Sequence, residues 1–191
     1  MTDPNDSSAS SEQDWSGESA PSHRRFTASP LWSGTAFYVR FDAHQHEPLV
    51  VGPSPDITKK TNRLWERDVC EIFIAPDSTR RNRYFEFEIA PTGEWIDLGI
   101  VVDPEQRLTN LDYISSMESA ARIETDRVVM AMKIPFASLG GVPKPGDTWL
   151  GNVFRCIGSG ADRGYLAWRP TRTRMPSFHV PEAFGEFTFR G

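Results

Sequence analysis

The chain has little with which to build a disulfide framework, a membrane span or a phosphate cradle. Its 191 residues hold two cysteines, Cys70 and Cys156. Two are too few for a zinc site, and in apolar strand-like surroundings they read as buried free thiols or as a disulfide between neighbouring strands. No stretch approaches the roughly 18 apolar residues of a membrane span. The start, Met1-Thr2-Asp3-Pro4, has no apolar run. A secretory signal peptide is therefore not expected, and the address of the chain as written is cytoplasmic, or secreted if the true start lies upstream. Basic residues form no block beyond Arg80-Arg81 and the loop with Arg169, Arg172 and Arg174, and the net charge is -5. Neither nucleic acid nor a membrane is an expected partner.

Catalytic signatures are scarce as well. No serine lies in a Gly-x-Ser-x-Gly elbow, and neither cysteine has an obvious histidine partner. Gly158-Ser159-Gly160 runs into Ala161-Asp162-Arg163-Gly164, without the Lys and Ser or Thr of a nucleotide cradle. His44-Gln45-His46 offers alternate imidazoles in a loop with no cysteine cluster nearby, and solvated side chains are expected there rather than a metal site. Glu71, Glu86 and Glu88 lie on predicted strands and raise the question of a glycosidase pair. Such a pair needs a defined separation and environments that push the two pKa values apart, which spacing alone does not give. Glu86 and Glu88, two apart on one strand, share a face, and a polar or ligand-facing surface is the expectation.

What the chain does have is aromatic side chains, with twelve Phe and six Trp, arranged at period two. In Thr35–Asp42, Phe37, Val39 and Phe41 share one face while Tyr38 and Arg40 share the other, as in a half-buried strand. Tyr84–Ile89 repeats this, with Phe85, Phe87 and Ile89 inward. Further strands are predicted at 48–52, 69–75, 94–97, 117–124, 127–134, 148–157, 164–168 and 184–189, between turns rich in Pro and Gly. Asp126-Arg127 marks a hairpin, and only Pro135–Gly140 looks helical, for one turn. Residues 1–25 are rich in Ser, Asp, Glu and Pro without a period. They read as a disordered tail, in which Trp15 is incidental. The remainder, 26–191, reads as one domain, an antiparallel two-sheet β-sandwich.

Two aromatics fall outside the core pattern. Trp65 sits at a loop-to-strand entry ahead of Asp68-Val69-Cys70-Glu71, and Phe178 lies in a polar loop, where an unburied ring needs a reason. Trp149 and Trp168 read as core. Two flat apolar faces with a carboxylate between them would suit a sugar ring, which offers C–H patches to aromatics and hydroxyls at its rim.

With these residues in view the chain resembles the family 9 carbohydrate-binding modules, within a superfamily of sandwich domains related to the DOMON domain. The carriers are Trp65-x-x-Asp68-x-x-Glu71-Ile72-Phe73-Ile74, Tyr84–Ile89, Lys133–Leu139, Pro145–Arg155, Ala167–Thr171 and Phe178–Gly185, over roughly Leu31 to Phe189. The resemblance implies a jelly-roll sandwich that binds a mono- or oligosaccharide without catalysis, with structural calcium common and no cofactor required. It places Trp65 and Phe178 at the two stacking positions and Glu71 at that of a carboxylate bonding sugar hydroxyls. Phe178 departs from the tryptophan of the family, offering less area and no N–H, and Glu88 stands where some members have a strand arginine. Arg155 and Arg169 are the candidate substitutes. A monomer is expected.

Two other functions compete. Related sandwiches hold haem through Met and His, for which Met117, Met130, Met132, Met175 and His179 are candidates, although Met130 and Met132 alternate as core residues do. The other is an interaction module whose sugar pocket is spent.

Overall fold

The computed structural model, which describes residues 9–190, has thirteen strands, most of them where period-two or apolar runs occur. In chain order they are β1 (Ala9–Ser11), β2 (Gln13–Asp14), β3 (Phe26–Trp32), β4 (Ala36–His44), β5 (Val69–Ala75), β6 (Arg83–Ile89) and β7 (Trp95–Val102). There follow β8 (Arg107–Asn110), β9 (Glu118–Ile123), β10 (Arg127–Pro135), β11 (Thr148–Ile157), β12 (Gly164–Ala167) and β13 (Gly185–Thr188). Only short 3-10 turns interrupt them among the described residues, and one, Phe136–Ser138, is the predicted helical turn.

Every pairing is antiparallel. One sheet runs β1-β3-β4-β10-β9 and the other β2-β12-β11-β5-β6-β7-β8, with β13 added beside β11. The two sheets bury one core between them: Phe37, Val39 and Phe41 of β4 meet Ile72 and Ile74 of β5, Phe87 of β6 and Val153 of β11. The two-sheet sandwich expected from the sequence is thus the architecture found. β13 can lie against β11 because Gly151 has no side chain, since a Cβ there would run into the Phe73 carbonyl and the Phe187 ring.

The larger sheet also buries its other face. Alternation along β5 sends Cys70, Ile72 and Ile74 into the inter-sheet core, and Val69, Glu71 and Phe73 to the outer side. On that outer side Phe73, Tyr84, Phe154, Leu98 and Phe178 form a second apolar cluster under the loops that precede β5 and follow β12. Tyr84, Glu86 and Glu88, expected on a polar or ligand-facing surface, are consequently 2%, 4% and 0% exposed. The same alternation settles the cysteines. Cys70 and Cys156 sit on opposite faces of one sheet and are both buried free thiols.

Three expectations need correction. Residues 9–25 are not a tail: β1 pairs with β3 and β2 with β12, while 1–8 lie outside the described residues. Trp15 is not incidental. It packs edge-on against Tyr165 with centroids 6.0 Å apart, and its Nε1 donates to the Thr173 carbonyl. Residues 48–52 form no strand, and the Val50 amide instead donates to the Asp68 carboxylate at 3.0 Å.

Candidate functional site

The loop before β5 is built to present one aromatic. Arg63, in the left-handed region at φ 59, turns the chain into the 3-10 turn Leu64–Glu66. Leu64 is fully buried and pins the turn, which leaves its neighbour Trp65 facing outward at 36% exposure. Arg163, just ahead of β12, holds this turn from the other side. Its Nη2 donates to the carbonyls of Trp65 (2.5 Å) and Arg67 (3.1 Å), and its Nη1 to those of Glu66 (3.2 Å) and Gly158 (2.8 Å). A further set of bonds ties the loop to the sheet: Arg67 Nη1 meets Glu94 Oε1 at 3.1 Å, and Lys60 Nζ meets Asp97 Oδ1 at 2.6 Å.

Trp65 stands at the rim of a cavity of about 520 Å³ on the outer face of the larger sheet. Glu71, Glu86 and Tyr165 line it from the sheet, Phe178 and His179 from the loop after β12, and Arg107 and Arg163 from its sides. Three of the residues singled out in the sequence, Trp65, Glu71 and Phe178, therefore meet in one place, although Phe178 lies more than a hundred positions from the other two.

Phe178 does so on different terms from Trp65. It is 8% exposed, and one face lies flat on Phe154, with centroids 4.1 Å apart and planes 9° from parallel. Tyr165 closes on it edge-on at 6.1 Å. It is a wall of the cavity more than an open platform.

The two candidate arginines are elsewhere. Arg155 points into the inter-sheet side, opposite to Glu71, where it donates to the carbonyls of Arg24 and His44 and to Gln45 Oε1. At 2% exposure it has nothing left for a ligand. Arg169 is exposed and stacks on Trp168, with its guanidinium carbon 4.5 Å from the ring centroid. Arg163 and Arg107 stand at the cavity in their place. Nothing in the spacing distinguishes these two from the other arginines of the chain.

Glu88 lies deeper than the cavity wall. It pairs directly across the β5–β6 ladder with Glu71, and Glu86 follows two residues away on the same face. One oxygen from each of the three carboxyls lies within 4.8 Å of the others, the one such grouping of metal-capable side chains among the described residues. Neither oxygen of Glu88, nor Oε2 of Glu86, has a hydrogen-bond partner. Burial, aided by the neighbouring Glu86, pushes the Glu71 carboxyl up to about 8, and burial pushes Glu86 up to about 7. Glu88 is raised well above the usual carboxylate range by burial and then by the other two. Burial thus favours the protonated form of each, in which a carboxyl can donate as well as accept. Glu71 also accepts from the Cys156 thiol at 3.5 Å.

His179 bonds the Tyr84 hydroxyl through Nδ1 at 2.8 Å, and desolvation drives its pKa down to about 3, so the ring is neutral. No haem pair assembles around it. Met117, Met130 and Met132 are buried between the sheets, on the far side of the larger sheet from His179, and Met175 is 72% exposed.

A protein from Bacteroides uniformis ATCC 8492, proposed to bind carbohydrate, superposes with a TM-score of 0.70 at 20% identity, covering 87% of this chain and 79% of that one. A family 9 carbohydrate-binding module from Caldicellulosiruptor kristjanssonii, solved with cellotriose, gives 0.62 at 13% identity, covering 90% and 78%. Its structure with glucose gives 0.62 at 13% identity, covering 90% and 80%. No curated protein matches the chain. No helix is long and apolar enough to cross a membrane. The family described as carbohydrate-binding family 9 matches residues 33–189, most of the chain, and the chain belongs to that family.

Proposed function

We propose that this domain binds a mono- or oligosaccharide without catalysis, one sugar face lying on Trp65 and its hydroxyls meeting Glu71 and Glu86. The observation that carries the reading is the meeting of Trp65 and Glu71 in one cavity of about 520 Å³. That size and the mix of aromatic wall and few polar groups suit a small ligand. Phe178 and Tyr165 bound the apolar side, so stacking falls mainly to Trp65. The family 9 module that is similar in fold was solved with cellotriose and with glucose, which supports a glucose-type ligand here.

The carboxyls argue for binding over hydrolysis. A glycosidase needs one protonated acid and one ionised partner, and therefore pKa values pushed apart. Burial moves Glu71, Glu86 and Glu88 in the same direction. The test is calorimetric titration with glucose, cellobiose and xylo-oligosaccharides. Binding in the micromolar to millimolar range is expected, since one stacked ring contributes only about 1 kcal/mol beyond area burial. Trp65→Ala should abolish it without unfolding the domain. A native protein that ignores every sugar on a glycan array would leave the interaction-module reading.

A further inference from the structure

We infer that Glu71, Glu86 and Glu88 together hold a hard divalent cation, of the calcium type, at the floor of the cavity. Glu71 and Glu86 line the cavity and could be explained by a sugar alone. Glu88 could not: it does not line the cavity, it is 0% exposed, neither of its oxygens has a hydrogen-bond partner, and one of them lies within 4.8 Å of an oxygen of each of the other two carboxyls. A buried carboxyl without a donor or counter-charge is destabilising, and native proteins rarely leave one.

The chain's own cations do not fill this role. The Arg163 guanidinium is committed to four backbone carbonyls, and Lys60 reaches Asp97 instead. Among the described residues no Lys or Arg pairs with any of the three, and the one basic atom within 4.0 Å of them is His179 Nε2, at 4.0 Å from Glu86 Oε2. A ligand ammonium entering through the cavity would reach Glu71 and Glu86 but stop short of Glu88. A bare ion between the three reaches all of them.

The geometry suits such an ion. Oxygens bound at about 2.3–2.6 Å to one calcium lie up to about 5 Å from one another, and the three carboxyl oxygens fall within 4.8 Å. An all-oxygen donor set selects Ca²⁺, Mg²⁺ or Mn²⁺ over zinc or copper. The remaining coordination positions face the cavity and are filled by water.

This inference stands apart from the sugar reading, because ion binding is measured with no sugar present. The chelator-stripped full chain is titrated with Ca²⁺, Mg²⁺ and Mn²⁺ by calorimetry, and with Tb³⁺ by luminescence excited through tryptophan. One ion per chain, a raised Tm and displacement of Tb³⁺ by Ca²⁺ are expected. Glu88→Gln should weaken Ca²⁺ binding at least tenfold, and Glu71→Gln serves in its place if the former fails to fold by near-ultraviolet circular dichroism. Trp65→Ala should keep the calorimetric ion binding while losing sugar. The inference is overturned if the stripped native protein takes up none of the three ions at millimolar concentration, or if Glu88→Gln binds Ca²⁺ like the native chain. It is equally overturned if glucosamine, and no metal, occupies the carboxyls.

Discussion

Phe178 and Phe154 lie flat against each other at 4.1 Å between ring centroids. One aromatic face at the second stacking position is thereby taken by the protein itself. Truncating Phe178 should act first on stability: Phe178→Ala is expected to cost about 3 kcal/mol, within the range for a buried phenylalanine. Trp65→Ala, at the rim, should cost about 1 kcal/mol or less. Urea unfolding of the two variants checks this asymmetry, and equal small losses would show that Phe178 is as free as Trp65.

Arg163 is a positioning residue for Trp65. Its guanidinium is shared among four carbonyls, three of them from the turn Trp65–Arg67 and its C-terminal flank. Lysine keeps the charge but loses the planar fork, so it cannot bridge this set. Arg163→Lys is expected to weaken sugar binding about tenfold, with the sheet intact by circular dichroism. Tryptophan fluorescence should shift, because the turn that orients Trp65 loosens. An unchanged affinity would remove Arg163 from the site's support.

How much of this was legible in the sequence varied by element. β5 and β11 could be placed at their observed ends because both are near-continuous apolar runs bounded by turn residues. β8 gave no signal, since all four of its residues are exposed and polar or isolated. β1 and β2 were hidden in a Ser- and Glu-rich stretch, held by pairing to β3 and β12 rather than by any pattern of their own. The face of Glu86 and Glu88 was predicted correctly from alternation, but not its burial, because the loops that cover it come from residues around 60–68 and 163–184. Trp65 stands out as an aromatic off the core pattern, and the role of Glu71 follows from family likeness. Arg155 was misplaced because in a strand buried on both faces polarity no longer says which side a residue takes.

Lys60 fastens the Trp65 loop to β7. Its Nζ contacts the Asp97 carboxylate and the carbonyls of Asp97, Leu111 and Tyr113. Asp97 is fully buried, so removing its partner leaves a charge with only the Ser115 amide to bond. Lys60→Met should destabilise by about 3 kcal/mol, and Lys60→Met with Asp97→Asn should recover part of that loss. If the double variant is as unstable as the sum of both single ones, the pair is not coupled.

The titration of the buried groups fixes how stability varies with pH when a chelator removes metal. Glu71 and Glu86 have folded pKa values raised to about 8 and about 7 from 4.5, and Glu88 is also raised well above its ordinary value. The folded chain then keeps protons that the unfolded chain releases. Their contribution is fully present below about pH 4.5 and is lost as pH rises through 7 to 8. His179 acts in the opposite sense: its folded pKa falls to about 3 from 6.5, so its contribution is present above 6.5 and lost as pH falls below it. One imidazole works against three carboxyls between pH 5 and 6.5, and the carboxyls prevail. Unfolding free energies from urea melts in EDTA at pH 5, 6.5 and 8 should therefore rise toward acid, by about 1 kcal/mol per pH unit or more, and the midpoints with them. Glu88→Gln should flatten the slope, because an amide carries no proton to lose. A midpoint that instead rises with pH across this window would mean that the three carboxyls are ionised in the folded state and held by partners other than protons.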